Sequence, residues 1–331
     1  MSRSVYLFSD GCLRRKDNTL VFEGAEGNRY LPVQNIHEIY LFGNVELTKS
    51  LLEFCAQKEI LLHIFNSEYD YYMGTFYPRE HLNAGYVTVK QAEHYLDPHR
   101  RMQLARRFVE GAAKNMLAVL RYYHNRGKDV ADRMALMENL LERVEDVLEI
   151  PELMALEGNI REHYYHAFDA ILENQDFVFE RRTRRPPRNE LNTLISFGNA
   201  ILYSTVLREA YKTHLDPRIG YLHTTNFHRF SLNLDVAEIF KPLLVDRVIF
   251  TVIGKRMITK RDFEAKLQGL ALKESGRKTW ITEWTKRLDT TIRHRSVGRE
   301  VSYRTLIRME LYKVEKHVVE GIPYRPFVTQ W

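Results

Sequence analysis

Residues 69–127 read YDYYMGTFYPREHLNAGYVTVKQAEHYLDPHRRMQLARRFVEGAAKNMLAVLRYYHNRG, and the chain changes character within them. Up to Phe76 the run is aromatic and strand-like, and Tyr77-Pro78 ends it. From Gly85 onward the apolar residues recur at helical spacing. Asp97-Pro98 reads as an N-cap followed by proline at the first helical position. Met102, Ala105, Phe108, Val109, Ala112, Met116, Val119 and Leu120 then share one side of a long helix. Gly127 closes it, where a left-handed residue is favoured.

Working outward toward the N-terminus, short β-rich runs recur: Val5–Phe8, Thr19–Phe22, Arg29–Val33, Ile36–Phe42, Ile60–Phe65 and Tyr69–Phe76. Asp10-Gly11, Asp17-Asn18, Gly24, Gly27 and Gly43-Asn44 punctuate them. One helix interrupts the set, capped by Thr48, with Leu51, Phe54 and Cys55 on its apolar side. Toward the C-terminus the helical period continues. One helix carries Val130, Met134, Met137, Leu141, Val144 and Leu148. Pro151 starts another, and further segments run from Glu190 to Thr213, Leu234 to Ile253 and Ser302 to Val319. The expected class is α+β, with a small β-rich N-terminal domain over 1–80 and a larger all-α C-terminal domain over 81–331. The boundary is expected near residues 78–86.

The bulk numbers agree with this reading. A chain of 331 residues favours two cores over one. Hydrophobic residues at 44% and charged residues at 28% describe an ordinary globular composition. The net charge of +6 tilts weakly toward polyanionic partners. Cys12 and Cys55 make neither a disulfide framework nor a zinc site, and two reduced thiols are expected. The apolar run Val5–Phe8 is too short for a signal-peptide core. No stretch approaches the roughly 20 apolar residues of a membrane span. A soluble, cytoplasmic protein is the expectation.

Three segments carry candidate chemistry. In LEGNIREHYY, residues 156–165, Glu157 and Arg161 share a helix face, with Tyr164 or Tyr165 one turn on. The bland alternative is a surface ion pair between Glu157 and Arg161. Gly158 inside a helix costs about 1 kcal/mol relative to alanine, which close approach of a backbone or ligand would explain. In DPRIGYLH, residues 216–223, a loop delivers His223; a lone histidine of this kind is also a common structural residue. In SLNLDVAEIFKP, residues 231–242, Asp235 and Glu238 lie three apart among apolar neighbours. Carboxylates so placed are costly to bury unless paired or metal-bound. Asp235 alternatively caps its helix.

Two carboxylates and an imidazole suit Mg²⁺ or Mn²⁺ with open coordination positions. Such an ion polarises a phosphate and activates an attacking hydroxyl. Spacing alone cannot bring together residues 66 and 15 positions apart. The run ERRTRRPPR, residues 180–188, lies in a proline-broken loop. Its Arg181, Arg182, Arg184, Arg185 and Arg188 are phosphate-binding candidates, with a solvated face as the alternative. Arg161, Lys241 and Arg247 join them as DNA-binding candidates. Tyr164 and Tyr165 either stack on an unpaired base or belong to the core.

These segments resemble the CRISPR-associated Cas-one family. LEGNIREHYY, RRTRRPPRNELNTLISFGNAILYSTVL and DPRIGYLHTTNFHRFSLNLDVAEIFKPLLVDR carry the match in order and spacing, and ILLHIFNSEYDYYMGTFYPRE extends it into the β-rich region. The resemblance implies that Glu157, His223 and Glu238 bind a divalent metal, Asp or Glu being accepted at the last position. Asp235 matches a supporting acidic position, and His228 does not match the family histidine. The implied activity is integration. A DNA 3′-OH attacks a phosphodiester at a CRISPR repeat end, and nuclease activity arises at the same site. The implied partners are DNA fragments and repeat DNA, a second copy of the chain joined through the β domains, and the small Cas-two protein. Two other readings stand beside this one. A transposon-type integrase of the same superfamily usually carries an extra C-terminal DNA-binding domain, for which no room is expected before Trp331. A catalytically inactive nucleic-acid binding protein would have lost ligand positions, and all three are filled.

Overall fold

A computed structural model of the chain describes residues 3–68, 70–78, 84–223, 230–267, 269–294 and 298–330. The N-terminal part holds strands β1 (Arg3–Leu7), β2 (Gly11–Lys16), β3 (Thr19–Gly24), β4 (Gly27–Leu31), β5 (Ile36–Leu41), β6 (Val45–Leu47), β7 (Leu61–Phe65) and β8 (Tyr72–Phe76), with helix α1 (Lys49–Gln57) before β7. They form two four-stranded sheets, ordered β1-β5-β7-β8 and β4-β3-β2-β6. In the first, β1, β5 and β7 run parallel and β8 is antiparallel. The strands β2 and β6 were not anticipated. β2 reads GCLRRK, where only Leu13 is buried, and β6 has three residues.

Strand alternation in β5 decides how the sheet is used. Ile39 and Leu41 point to one face, where they join Leu13, Leu20, Phe22, Leu51 and Phe54 in a core between the sheets and α1. Tyr40 and the following Phe42 point to the other face, into the same core as the helices. Phe42 stacks on Phe65 and meets Phe197 at 5.6 Å. The first sheet is therefore covered on both faces, as its parallel strands require.

The rest is mostly helical: α2 (Gly85–Leu96), α3 (Pro98–His124), α4 (Ala131–Glu142), α5 (Ile150–His166), α6 (Phe168–Leu172), α7 (Glu190–Ala210), α8 (Leu232–Phe240), α9 (Arg247–Gly254), α10 (Glu274–Asp289) and α11 (Tyr303–Glu320). Asp97 caps α3 through the amides of His99 and Arg100. Two short hairpins interrupt the expected all-α region. β9 (Phe263–Lys266) pairs with β10 (Gly269–Leu272), and β11 (Thr291–His294) pairs with β12 (Arg299–Ser302). α7 is buried along nearly its whole length and runs through the middle of the bundle. Among the described residues no helix is long and apolar enough to cross a membrane.

A buried ionic cluster joins the sheet to the bundle. Glu38 of β5 lies 3.2 Å from Arg208 of α7 and 3.5 Å from Arg304 of α11, and Tyr40 Oη donates to it at 3.2 Å. Ser4 Oγ donates to the same carboxylate. His63 Nε2 is 3.7 Å away. Burial alone would raise the Glu38 carboxyl; Arg208, His63 and Arg304 more than offset it and hold it far below the usual carboxylate range. Cys12 and Cys55 are both free thiols.

Candidate active site

α5 starts with Pro151 in its first turn and packs Leu153, Leu156, Ile160, Tyr164 and Tyr165 inward. Glu157 and Arg161 lie one turn apart on it, at the edge of that buried face. Arg161 donates Nε to Glu157 Oε1 at 2.7 Å and Nη2 to the same oxygen at 2.5 Å. The i,i+4 pair of the sequence reading is present, but it is not a surface pair. Arg161 is buried, and its Nη2 also donates to Glu238 Oε2. Glu238 comes from α8, whose apolar composition buries it together with Asp235. Lys241 Nζ donates to the other Glu238 oxygen at 2.5 Å and lies 5.0 Å from the Tyr203 ring centroid. Two carboxylates 81 residues apart in sequence thus converge on one guanidinium. Burial would raise the Glu238 carboxyl, but Arg161, Lys241 and His223 outweigh it and keep Glu238 ionised.

His223 arrives from the loop before α8. Its Nδ1 donates to Asp235 Oδ1 at 2.8 Å, which leaves Nε2 as the remaining ring nitrogen. Asp235 does not cap its own helix. It accepts the backbone N–H groups of Tyr221, Leu222 and His223 at 2.6, 3.1 and 2.9 Å, pinning the loop to α8. Gly220 is required by this closeness: a Cβ there would meet Asp235 Oδ2 at 2.9 Å and the Ser231 backbone at 2.7 Å. Burial would lower the His223 imidazole; the Asp235 hydrogen bond and charge more than reverse it, and the net shift is upward. His228 lies outside the described residues.

The remaining candidates divide sharply. Arg161 and Lys241, expected at phosphates, are buried on the carboxylates instead. Arg182 ties its loop to α7 through Asn192 and Ser196, both at 2.9 Å. Arg181, Arg184, Arg185 and Arg188 are exposed. Their loop is anchored on the β9–β10 hairpin, where Leu270 N–H donates to Pro187 O at 3.0 Å. Arg247 stacks over Tyr122 at 4.3 Å. Tyr164 and Tyr165 are core residues, packed edge-on against Phe168. Gly158 faces open space, so no protein contact accounts for it. Asp246, buried beside Arg161 and Lys241, was overlooked. Its signal was the one that drew attention to Glu238, an acidic residue embedded in an apolar run.

Among the described residues no three His, Cys, Asp or Glu side chains are gathered as a ready metal cage. The donor set still fits a hard divalent ion. Glu157 and Glu238 already share a cation, and the His223 ring is oriented by a carboxylate on its far nitrogen, a common arrangement behind a metal-binding imidazole.

The chain is similar to known proteins over nearly its whole length. The family model for CRISPR associated protein Cas1 matches residues 5–286. The CRISPR-associated endonuclease Cas1 2 of Thermodesulfovibrio yellowstonii is 54% identical over 331 residues, covering 100% of both chains. The solved structure of a Cas1 protein from Thermotoga maritima superposes with a TM-score of 0.89 at 45% identity, covering 98% of this chain and 99% of that one. A casposase bound to integration product shares the fold, with a TM-score of 0.88 at 19% identity over 99% of this chain and 94% of the other. So does a chain of a Cas6-RT-Cas1–Cas2 complex, with a TM-score of 0.87 at 17% identity over 100% of this chain and 36% of the other.

Proposed function

This chain belongs to the CRISPR-associated Cas1 family, and on that premise we propose that it joins DNA ends to CRISPR repeats and cleaves DNA at the same site. The observation that carries the reading is the convergence of Glu157 and Glu238 on one cation, beside a histidine whose free nitrogen is set by Asp235. Held by Glu157, His223 and Glu238, Mg²⁺ or Mn²⁺ would polarise the scissile phosphate and activate the attacking hydroxyl.

The chain's own groups do the rest. Asp235 fixes the His223 tautomer and pins the loop that carries it. Arg161 and Lys241 keep the buried Glu238 ionised, and Arg161 holds Glu157 in register with it. The exposed Arg181, Arg184, Arg185 and Arg188 offer planar forks to the DNA backbone. In the joining step a 3′-oxygen forms a bond to phosphorus while the P–O3′ bond of the target strand breaks. The attacking hydroxyl loses its proton and the released 3′-oxygen gains one. With water as the attacking group, the same exchange is hydrolysis. The working assembly in this reading pairs two copies through the β-rich parts and adds a Cas2 protein. Its support is the family membership and the fold shared with a chain of the Cas1–Cas2 complex.

The test is integration of a short duplex into a supercoiled plasmid carrying a CRISPR repeat, with Mn²⁺. Glu157→Ala and His223→Ala are expected to abolish strand transfer while the folded dimer persists in size-exclusion chromatography. Activity like the parent chain's in either variant sinks the assignment.

A further inference from the structure

The stretch FKPLLVDR, residues 240–247, holds an acidic residue to which neither the resemblance nor the proposed chemistry gives a role. Between α8 and α9 the backbone widens into a π-helical turn over Pro242–Asp246, with Asp246 N–H donating to Lys241 O at 3.1 Å. Single π turns inside helices are frequent at functional sites, because they re-aim side chains. This one places the Asp246 carboxylate in the interior, next to Arg161, Tyr164 and Lys241. Burial, only partly offset by Arg161, by the Tyr164 hydroxyl and by Lys241, pushes its carboxyl up to about 7.

Three atoms here are left over. Asp246 Oδ2, Arg161 Nη1 and Tyr164 Oη are all buried without a hydrogen-bond partner at ordinary distance among the described residues. Arg161 spends Nε and Nη2 on Glu157 and Glu238, and keeps one nitrogen unspent. A buried guanidinium does not lose its proton, and it is costly to leave unpaired. An ion that takes Glu157 and Glu238 competes for the oxygens Arg161 holds, so the arginine then needs another acceptor. The nearby carboxylate with an unused oxygen is that of Asp246.

We propose that Asp246 is a positioning residue: it accepts Arg161 when a divalent cation enters, so that Glu157 and Glu238 are released to the ion. The proposal rests on the metal reading above. The experiment is Mn²⁺ titration of the free full-length chain, followed by electron paramagnetic resonance of unbound Mn²⁺. The chains compared are the parent, Asp246→Asn, Arg161→Gln and the double variant. Asp246→Asn is expected to weaken Mn²⁺ binding about 10-fold or more, the scale of losing a partner behind a ligand. In the Arg161→Gln background the same change should alter affinity by no more than about twofold, because the group it serves is gone. Unchanged affinity in Asp246→Asn overturns the proposal, and so does an equal loss in both backgrounds. A parent chain that binds no Mn²⁺ removes the metal reading and this proposal with it. Normal parent binding beside an unaffected Asp246→Asn removes only this one. Should Asp246→Asn fail to fold, the parent chain still decides. The nitrogen-15 signal of Arg161 Nε–H, assigned by its loss in Arg161→Gln, should shift on saturation with Mg²⁺, and a stationary signal overturns the proposal.

Discussion

Among the described residues, the buried carboxylate–arginine clusters at Glu38 and at Glu157–Glu238 are built from the same chemistry and finished differently. At the sheet–bundle joint, Glu38 is surrounded on all sides: Ser4, Tyr40, Arg208, Arg304 and His63 crowd two oxygens. At the candidate active site, Glu157 keeps 18% of its side chain exposed and His223 keeps 27%. Asp246 Oδ2 and Arg161 Nη1 have no partner there among the described residues. A carboxylate saturated by five groups has no capacity left for a ligand and acts as a weld. A cluster with exposed oxygens and unspent donors can exchange partners. Access from solvent separates structure from function here: Glu38 is 1% exposed, and its cluster too holds a buried donor without a hydrogen-bond partner among the described residues, His63 Nε2.

Removing one carboxylate from each cluster breaks the comparison most severely. Glu157→Ala should cost nearly all strand transfer and little stability, because one end of its pair already reaches solvent. Glu38→Ala should do the reverse. It leaves Arg208, which is 1% exposed, short of its main counter-charge. Breaking a buried pair from one side costs about 3–5 kcal/mol. Urea unfolding of both variants checks this. Equal destabilisation would mean that the two clusters do not differ in kind.

Acid sharpens the same contrast. The Glu38 carboxyl is depressed in the folded chain, so its contribution is present above the unfolded carboxylate value of about 4.3. It is lost as pH falls below that value toward the folded one. Over this window the folded state binds fewer protons, and stability falls by up to about 1.4 kcal/mol per pH unit from this single group. Glu38→Gln should flatten the acid arm of a stability–pH curve by that slope. An unchanged slope would show that other carboxylates control acid unfolding.

These clusters also mark where sequence reading reached and where it stopped. The strand runs of the N-terminal part and the long helix after Asp97 were legible because period and caps are local. β2 was not, because Leu13 alone is buried and Arg14, Arg15 and Lys16 are all exposed, which leaves no apolar alternation to read. α10 was missed although Trp280, Ile281, Trp284 and Leu288 fall at helical spacing, since most of its other residues are polar and no side-chain cap announces it. At the site, the Glu157–Arg161 pair followed from i,i+4 spacing. That Arg161 also grips Glu238 is a tertiary fact with no local trace. Asp235 could be placed beside the site, but the three backbone amides it collects required the loop to be folded against α8.

The smallest expected effect concerns the exposed arginines, and it tests whether the active-site cluster has an outer extension. Arg184 and Arg185 are exposed, on a loop held by Arg182 and by the β9–β10 hairpin. Their removal should leave the fold within about 0.5 kcal/mol, the usual range for surface changes. Arginines that neutralise phosphates release counterions, so each contact adds about 0.9 to the slope of log affinity against log salt. Replacing both with Gln should therefore weaken duplex binding and reduce the slope by roughly 1.8, measured by fluorescence anisotropy across a salt series. Arg182→Gln separates anchoring from contact. Its guanidinium is engaged by Asn192 and Ser196, so it should loosen the loop, weakening binding with a smaller change of slope. A slope unchanged in the Arg184 and Arg185 variant would return that loop to the solvated surface. The DNA-facing side of the site would then have to be sought near Arg247 and Tyr122.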